Sequence, residues 1–288
     1  MKSIAHRSAW LALVVPLTFG SPARGVAGPW VENAEARARL IGDARALGLE
    51  FELQPGWHVY WINSGDAGYA PRIDFRATSA VRDARLLFPV PQRFELAAGM
   101  VSFGYSHAVL YPIAATVASA AGRPLEVRAR LDYLVCRDEC IPHTAELTLE
   151  IPAKTGAGDP ESARLAAARA ALPLPAGDSP GAPQVTLRVA AEPKGALVLE
   201  LLAAGGTWRA ATPDLFFESH PLFALGRPEF SASKNGLRFR VRLEPLDLTQ
   251  PLPATTDFAW TLTGFERSAA GTAAPVALAG TTSVELRH

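Results

Sequence analysis

Two runs of alternating apolar and polar residues flank the only two cysteines of this 288-residue chain. Apolar side chains occupy every second position in residues 125–135 and again in residues 145–151. Such alternation is typical of β-strands with one buried face, and two such strands joined by a short polar segment form a hairpin. The pattern therefore predicts a β-hairpin with Cys136 and Cys140 at its tip. It argues against a thioredoxin-type motif, in which a helical pattern would follow the cysteines.

Similar short strand patterns, separated by turn residues, occur along the rest of the chain. They are predicted within residues 34–53, 84–88, 108–118, 185–189, 196–202, 214–218 and 230–243. Asn235 and Gly236 favour a type I′ hairpin turn because both residues tolerate positive φ. Short strands at regular spacing predict an all-β protein made of two immunoglobulin-like β-sandwich domains.

Composition divides the chain into four segments. Residues 1–27 contain basic residues, then an apolar run, then small residues, which is the pattern of a cleaved secretory signal. The two sandwiches are predicted at 28–153 and 184–288. The proline- and alanine-rich segment 154–183 is predicted to be an interdomain linker with a short helix.

Charge and hydropathy exclude some classes of partner. The 28 basic and 28 acidic residues cancel, and without a long run of like charge a nucleic-acid partner is not expected. No segment after the signal approaches the roughly 20 apolar residues of a transmembrane helix, so no stable membrane insertion is expected.

The cysteine pair has three interpretations. The first is an inert structural disulfide. Closing so small a ring would add little stability, because it removes little conformational entropy from the unfolded chain. Cys136, Cys140 and His143 form a C-x3-C-x2-H pattern, a soft ligand set suited to Cu(I) or Zn. The third interpretation is reversible thiol–disulfide exchange with other proteins.

Three motifs favour exchange: "WHVYWINSGDAGYAP", "FGYSHAVLYP" and "YLVCRDECIPH". Together they resemble the N-terminal periplasmic domain of the DsbD-type disulfide-interchange reductases, most of all the branch that includes the suppressor of copper sensitivity, ScsB. The resemblance implies a periplasmic protein-disulfide reductase component without an organic cofactor. It implies that Cys140 forms mixed disulfides with partner proteins and that Cys136 resolves them.

The resemblance also implies the partners of the domain. In the family the dithiol relays electrons from a membrane reductase to exported disulfide isomerases or peroxidases. The family chain continues into a membrane domain and a thioredoxin-like domain, whereas this sequence ends at His288. We therefore expect a separate thioredoxin-like or membrane disulfide reductase to donate the electrons.

Aromatic residues in the first two motifs are further candidates. Trp57, Tyr60 and Trp61 could form a platform facing a partner or pack in the core. The resemblance implies an aromatic loop that caps the cysteines, and Phe103 and Tyr105 are its candidates. Two other functions stay open: a copper-tolerance module that uses the cysteines and His143, and a non-catalytic adaptor with a structural disulfide.

Overall fold

The computed structural model describes residues 26–43, 45–118, 123–153, 160–177, 182–205, 209–210, 213–233, 236–269 and 272–286. The predicted signal segment lies outside this range except for its last two residues. Within the described part, the chain forms four β-sheets and one α-helix. This confirms the predicted all-β sandwich fold.

The N-terminal sandwich, residues 26–151, consists of two six-stranded sheets. Its strands are β1 (Val26–Ala27), β2 (Val31–Glu32), β3 (Ala36–Gly42), β4 (Leu47–Leu53), β5 (His58–Gly65), β6 (Arg72–Asp74), β7 (Val81–Leu86), β8 (Gln92–Glu95), β9 (Val101–Ser106), β10 (Ala108–Val117), β11 (Leu125–Cys136) and β12 (Cys140–Ile151). A 3₁₀ turn, Ala97–Gly99, connects β8 and β9.

The two sheets of the N-terminal sandwich enclose one apolar core. The first sheet has the order β1-β3-β4-β10-β7, with β2 beside β3, and the second has the order β12-β11-β5-β9-β8, with β6 beside β11. The core combines alternate residues of both sheets, such as Phe51 and Tyr111 from one and Val59, Leu131 and Val135 from the other. The period-2 patterns therefore set which face of each strand is buried.

The C-terminal sandwich contains two five-stranded sheets. Its strands are β13 (Leu174–Pro175), β14 (Gln184–Ala191), β15 (Leu197–Ala204), β16 (Arg209–Ala210), β17 (Leu215–Phe217), β18 (Phe223–Leu225), β19 (Glu229–Ser233), β20 (Gly236–Pro245), β21 (Thr255–Ala269) and β22 (Thr272–Glu285), with a 3₁₀ turn at Pro193–Gly195. The sheet orders are β13-β22-β21-β16, with β17 beside β21, and β14-β15-β20-β18, with β19 beside β20. A second apolar core lies between them.

The predicted linker contains the helix α1 (Pro160–Ala170), which packs on the N-terminal sandwich. Leu165 is buried, and a side chain at Gly48 on β4 would collide with it. Glu50 on the same strand binds Arg164 of the helix and Arg39 of β3, the latter with Nε 2.8 Å from Oε2. After the helix, β13 pairs with β22 of the C-terminal sandwich, so this segment is anchored to both sandwiches.

A second contact joins the sandwiches directly. Phe216 of β17 packs edge-on against Trp61 and Phe103 of the N-terminal sandwich, with ring centroids 6.0 and 5.5 Å apart. Arg93 lies over the Phe103 and Phe216 rings and binds Asp214, with Nη2 2.9 Å from Oδ1. An aromatic cluster with a bidentate arginine–carboxylate pair at its edge thus ties the two halves together.

Most predicted strands are confirmed, but two segments differ from expectation. Residues 102–107 were expected to form a loop, whereas Val101–Ser106 is the strand β9. Its outer face carries only Ser102, Gly104 and Ser106, which gave it the composition of a loop. Gly236, predicted to be a turn residue, is instead the first residue of β20 and pairs with Ser233 of β19, whereas Asn235 lies outside the described residues.

Candidate redox site

The predicted hairpin forms over its full length. Strands β11 and β12 pair in continuous register from Leu125 opposite Ile151 to Cys136 opposite Cys140. Only residues 137–139 form the loop, which is closed by a backbone hydrogen bond of 3.2 Å from Arg137 N to Glu139 O. The Cα atoms of the cysteines are 4.2 Å apart, and a disulfide bond joins them.

The two sulfur atoms of this disulfide have different surroundings. Cys140 is exposed to solvent, whereas Cys136 is only 2% exposed. The hydroxyl group of Tyr60 donates a hydrogen bond of 2.6 Å to Sγ of Cys136 and lies 3.3 Å from Sγ of Cys140. An incoming thiolate can therefore reach Cys140, while Cys136 is placed as the leaving group with a donor already in position.

Strand register brings Tyr60 to the sulfur. His58 on β5 lies directly opposite Cys136 on β11, and directly opposed residues share one face of an antiparallel sheet. Tyr60 follows two positions later on the same face. Burial raises the pKa of Tyr60 to about 12, so its hydroxyl group stays protonated and able to donate at neutral pH.

The loop after β5 covers Cys136. Tyr60, Leu134 and Cys136 form a small buried cluster against which Tyr69 packs. Gly68 adopts a φ of +91° and lies against the Tyr60 ring, where any Cβ atom would collide with it. Glycine is required here both for the positive φ and for the close approach.

Side-chain to backbone hydrogen bonds hold this loop, as is typical of asparagine and aspartate in turns. The carboxylate of Asp66 accepts a 2.8 Å bond from Val101 N, and Asn63 Oδ1 accepts a 3.0 Å bond from Gly65 N. Asn63 Nδ2 also donates to Phe217 O of the C-terminal sandwich at 2.8 Å. The cover of Cys136 is therefore fastened to both sandwiches.

A buried histidine extends the site behind Tyr60. His58 is 3% exposed and stacks on Phe94, with ring centroids 4.5 Å apart. Its Nε2 atom lies 3.2 Å from Oγ of the buried Ser102. Burial lowers the pKa of His58, so that the imidazole is neutral at neutral pH.

This pKa change predicts a pH dependence of stability. His58 and His220 both have a pKa lowered by burial, whereas a histidine in the unfolded chain has a pKa of about 6.5. The unfolded state therefore binds more protons as pH falls below about 6.5, and folding stability falls with it until the folded-state pKa is passed. We expect each histidine to remove at most about 1.4 kcal/mol per pH unit in this window.

Urea unfolding at a series of pH values measures this dependence. The variant His58→Phe retains an aromatic ring against Phe94 and removes the titrating group, so its loss of stability below about pH 6.5 should be smaller than that of the wild type. Parallel curves for the two proteins would contradict the assignment.

Among the four candidates for a cap or a partner contact, the structure brings only Trp57 to the hairpin. The guanidinium group of Arg137, next to Cys136, lies 5.1 Å from the centre of the Trp57 ring. Trp61 and Phe103 instead contact Phe216, as described above. Tyr105 lies in the core and donates a 2.7 Å hydrogen bond to Pro89 O.

The alternation of side chains between the two faces of a strand explains why Phe103 and Tyr105 do not lie over the disulfide. Tyr105 is opposite Val59, and Val59 is opposite Val135, so all three face the core. Phe103, two positions before Tyr105, packs against the same core. Cys136 and Tyr60 are on the other face of the sheet. The cover comes instead from the segment that carries Gly68 and Tyr69.

His143 is also not brought to the cysteines. It lies opposite Tyr133 in the hairpin, an odd number of positions from Cys140, and therefore on the other face. Its Nε2 atom is 3.2 Å from Oε2 of Glu35. Among the described residues, no group of three or more His, Cys, Asp or Glu side chains has an arrangement that could hold a metal ion.

His58, Ser102 and Phe94 were not among the residues that the sequence patterns indicated, and Tyr60 was only one of three candidates for an aromatic platform. A signal was present, since His58 and Tyr60 alternate with Val59 and Trp61 in β5. Because both faces of this strand are buried, the alternation of polar and apolar residues is weak. The pairing of β5 with β11, which brings Tyr60 to Cys136, joins residues more than 70 positions apart.

Fold and site together define the class of this protein: an all-β protein with a disulfide at a hairpin tip, one sulfur exposed and the other buried against a tyrosine. Residues 29–152 match the family model of the N-terminal domain of the thiol:disulfide interchange protein DsbD. This match confirms the resemblance that the three sequence motifs indicate. No curated protein sequence matches the chain.

A solved structure is similar over nearly the whole chain. It is the crystal structure of the N-terminal periplasmic domain of ScsB from Proteus mirabilis, with a TM-score of 0.69 and 20% sequence identity, covering 91% of this chain and 99% of that chain. At this identity the likeness concerns the fold, and its coverage includes both sandwiches.

The family match over residues 29–152 supports a role in thiol–disulfide interchange and, in general terms, protein partners. The solved neighbour is a periplasmic domain. Within the ranges that the structure describes, no helix combines the length and apolar character needed to cross a membrane.

Proposed function

We propose that this chain is a periplasmic thiol–disulfide exchange protein that relays electrons between a membrane or thioredoxin-like reductase and exported thiol proteins. The observation that carries the proposal is the asymmetry of the disulfide. Cys140 is exposed at the hairpin tip, and Cys136 is buried with the Tyr60 hydroxyl group 2.6 Å from its sulfur. A purely structural clip has no need for a donor directed at one of its sulfurs.

In the first half of the relay, a thiolate of the reduced donor attacks Sγ of Cys140. A bond forms between donor and Cys140, the Cys136–Cys140 bond breaks, and its electron pair passes to Cys136 as a thiolate. A second thiolate of the donor then displaces Cys140. The donor leaves as a disulfide, and this domain is left with two reduced cysteines.

In the second half, the Cys140 thiolate attacks a disulfide of the acceptor protein and releases one acceptor thiolate. Cys136 then attacks Cys140 in the mixed disulfide, which restores the original bond and releases the acceptor as a dithiol. In the disulfide form, the Tyr60 hydroxyl group already lies against Sγ of Cys136. This hydroxyl group stabilises the thiolate each time that Cys136 leaves, because hydrogen bonds to an ionised acceptor are about twice as strong as neutral ones.

Trapping of mixed disulfides tests the proposal. In the variant Cys136→Ala, Cys140 stays exposed and has no resolving partner, so disulfide-linked adducts with periplasmic proteins should accumulate. The matched control is Cys140→Ala, which leaves only the buried Cys136, and we expect it to capture at least tenfold less protein, on the order of the difference in access of the two thiols.

The readout is non-reducing electrophoresis with identification of the captured proteins by mass spectrometry. Capture of thioredoxin-like or disulfide-reductase proteins by Cys136→Ala alone supports the relay. If Cys136→Ala captures nothing, or if both variants capture the same proteins equally, the relay is overturned and the adaptor alternative is favoured.

A further inference from the structure

One short strand of the C-terminal sandwich contributes to both apolar cores. Leu215 and Phe217 of β17 pack in the core of the C-terminal sandwich, whereas Phe216, which lies between them, is buried in the core of the N-terminal sandwich. Successive side chains of a strand point to opposite faces, so β17 directs its side chains alternately to the two sandwiches. The N-terminal core therefore includes a side chain that the C-terminal sandwich supplies.

Strand β17 contacts β5, the strand that carries Tyr60. Phe216 packs edge-on against Trp61, the residue directly after Tyr60. The backbone oxygen of Phe217 accepts a hydrogen bond of 2.8 Å from Nδ2 of Asn63. Two consecutive residues of the C-terminal sandwich thus hold β5 at the point where the chain leaves Tyr60 and enters the loop that covers the buried sulfur.

The end of β5 is tied to the cover loop, residues 66–71, which lies between β5 and β6. The hydroxyl group of Ser64 donates a hydrogen bond of 2.9 Å to the backbone oxygen of Gly68. Gly68 lies so close to the Tyr60 ring that a Cβ atom there would collide with it. Because Ser64 directly follows Asn63, a shift of Asn63 would move the glycine that holds the cover loop on the Tyr60 ring.

We propose that the C-terminal sandwich controls which sulfur of the disulfide can be attacked, with Asn63 and Phe216 as positioning residues. This inference rests on the proposed exchange function. Held by β17, the cover loop keeps Cys136 out of reach. The thiolate of a reduced donor can then form its new bond only with Sγ of Cys140, and the electron pair of the broken disulfide bond passes to Cys136. When the contact with β17 is loosened, Cys136 becomes accessible and attack at either sulfur is possible.

The rate at which iodoacetamide alkylates Cys136 measures how firmly the cover loop is held. In a Cys140→Ser background, Cys136 is the only thiol of the chain. The variant Asn63→Asp keeps the oxygen that accepts from Gly65 N and removes the donor to Phe217 O. We expect alkylation about three- to tenfold faster, because the loss of one ordinary hydrogen bond changes an opening equilibrium by roughly this factor. A nearby carboxylate disfavours a thiolate and would by itself slow alkylation, so a faster reaction reports access.

Further variants separate a local opening from a general loss of stability. Phe216→Ala removes the ring that packs on Trp61, so it should accelerate alkylation at least as much. Glu50→Ala lowers stability at the helix contact on the other sheet, and it should change the rate less than about twofold because the two sites share no contacts. In a Cys136→Ser background, where the exposed Cys140 is the only thiol, all three variants should leave the rate within about twofold of their parent, since access is already open.

An unchanged alkylation rate of Cys136 in Asn63→Asp, or an equal rise in Glu50→Ala, would overturn the proposal. Asn63→Asp decides the matter even if Phe216→Ala fails to fold, which thermal unfolding would reveal. Because iodoacetamide is a small reagent that needs no protein partner, a failure to trap partners would overturn the relay and leave the control of access to Cys136 standing.

Discussion

Replacing Tyr60 by phenylalanine is expected to slow the reduction of the Cys136–Cys140 disulfide by dithiothreitol about ten- to a hundredfold. A disulfide sulfur is a weak acceptor and a thiolate is a strong one, so the hydrogen bond from Tyr60 becomes stronger as the bond to Cys140 breaks. A hydrogen bond to a charged group is worth about 1.5–3 kcal/mol, which corresponds to roughly this change in rate. Stopped-flow measurement of the reduction rate tests the expectation.

The matched control for this prediction is Tyr69→Phe. Tyr69 belongs to the same cluster around Cys136, but its hydroxyl group is directed at Tyr133 O, 3.5 Å away. Its loss should change the rate less than about twofold, since such a long contact is a weak hydrogen bond. Equal rates for wild type, Tyr60→Phe and Tyr69→Phe would show that the phenol does not assist the leaving sulfur.

The variant Glu50→Ala should destabilise the protein by about 2–3 kcal/mol. Glu50 is 5% exposed and holds both Arg39 and Arg164. Its removal leaves two guanidinium groups at the sheet–helix contact without their shared carboxylate. Because Arg164 still reaches solvent and Glu161, the cost should lie at or below the lower end of the range for a broken buried pair.

Glu52→Ala is the control for this prediction. Glu52 lies on the same strand and also binds an arginine of β3, Arg37, but both side chains are 41% exposed. Exposed pairs contribute about 0–1 kcal/mol, so the midpoint of urea unfolding should change little. If the two variants were equally stable, the contact between helix and sheet would not depend on the buried carboxylate.

The alternation around the cysteines was sufficient to predict the hairpin with both cysteines at its tip. It was sufficient because a hairpin is local: the two strands are adjacent in sequence, and a slip of one residue would expose every apolar side chain. Because successive side chains of a strand point to opposite faces, His143, three positions after Cys140, lies on the other face from Cys140. The C-x3-C-x2-H spacing suggested a ligand set only because residues 141–144 were not included in the predicted strand, whereas β12 begins at Cys140.

The cap could not be predicted in the same way. Phe103 and Tyr105 were candidates because the family resemblance implies an aromatic loop that caps the cysteines. In the structure, pairing of β9 with β5 turns these aromatic residues toward the core and toward Phe216 of the C-terminal sandwich. A contact across more than 100 residues of chain leaves no trace in a local pattern.

The sequence by itself determined that the chain is built of β-strands and that two cysteines share a hairpin tip, and its motifs identified the resemblance to the interchange domains. These properties depend on side-chain periodicity and short spacings. Only the tertiary structure decided that Cys136 is buried and Cys140 exposed, and that the Tyr60 hydroxyl group lies against the buried sulfur. The physical reason is that these relations arise from pairing and packing of strands far apart in the chain, where hydrogen-bond register, and not local propensity, selects the neighbours of each side chain.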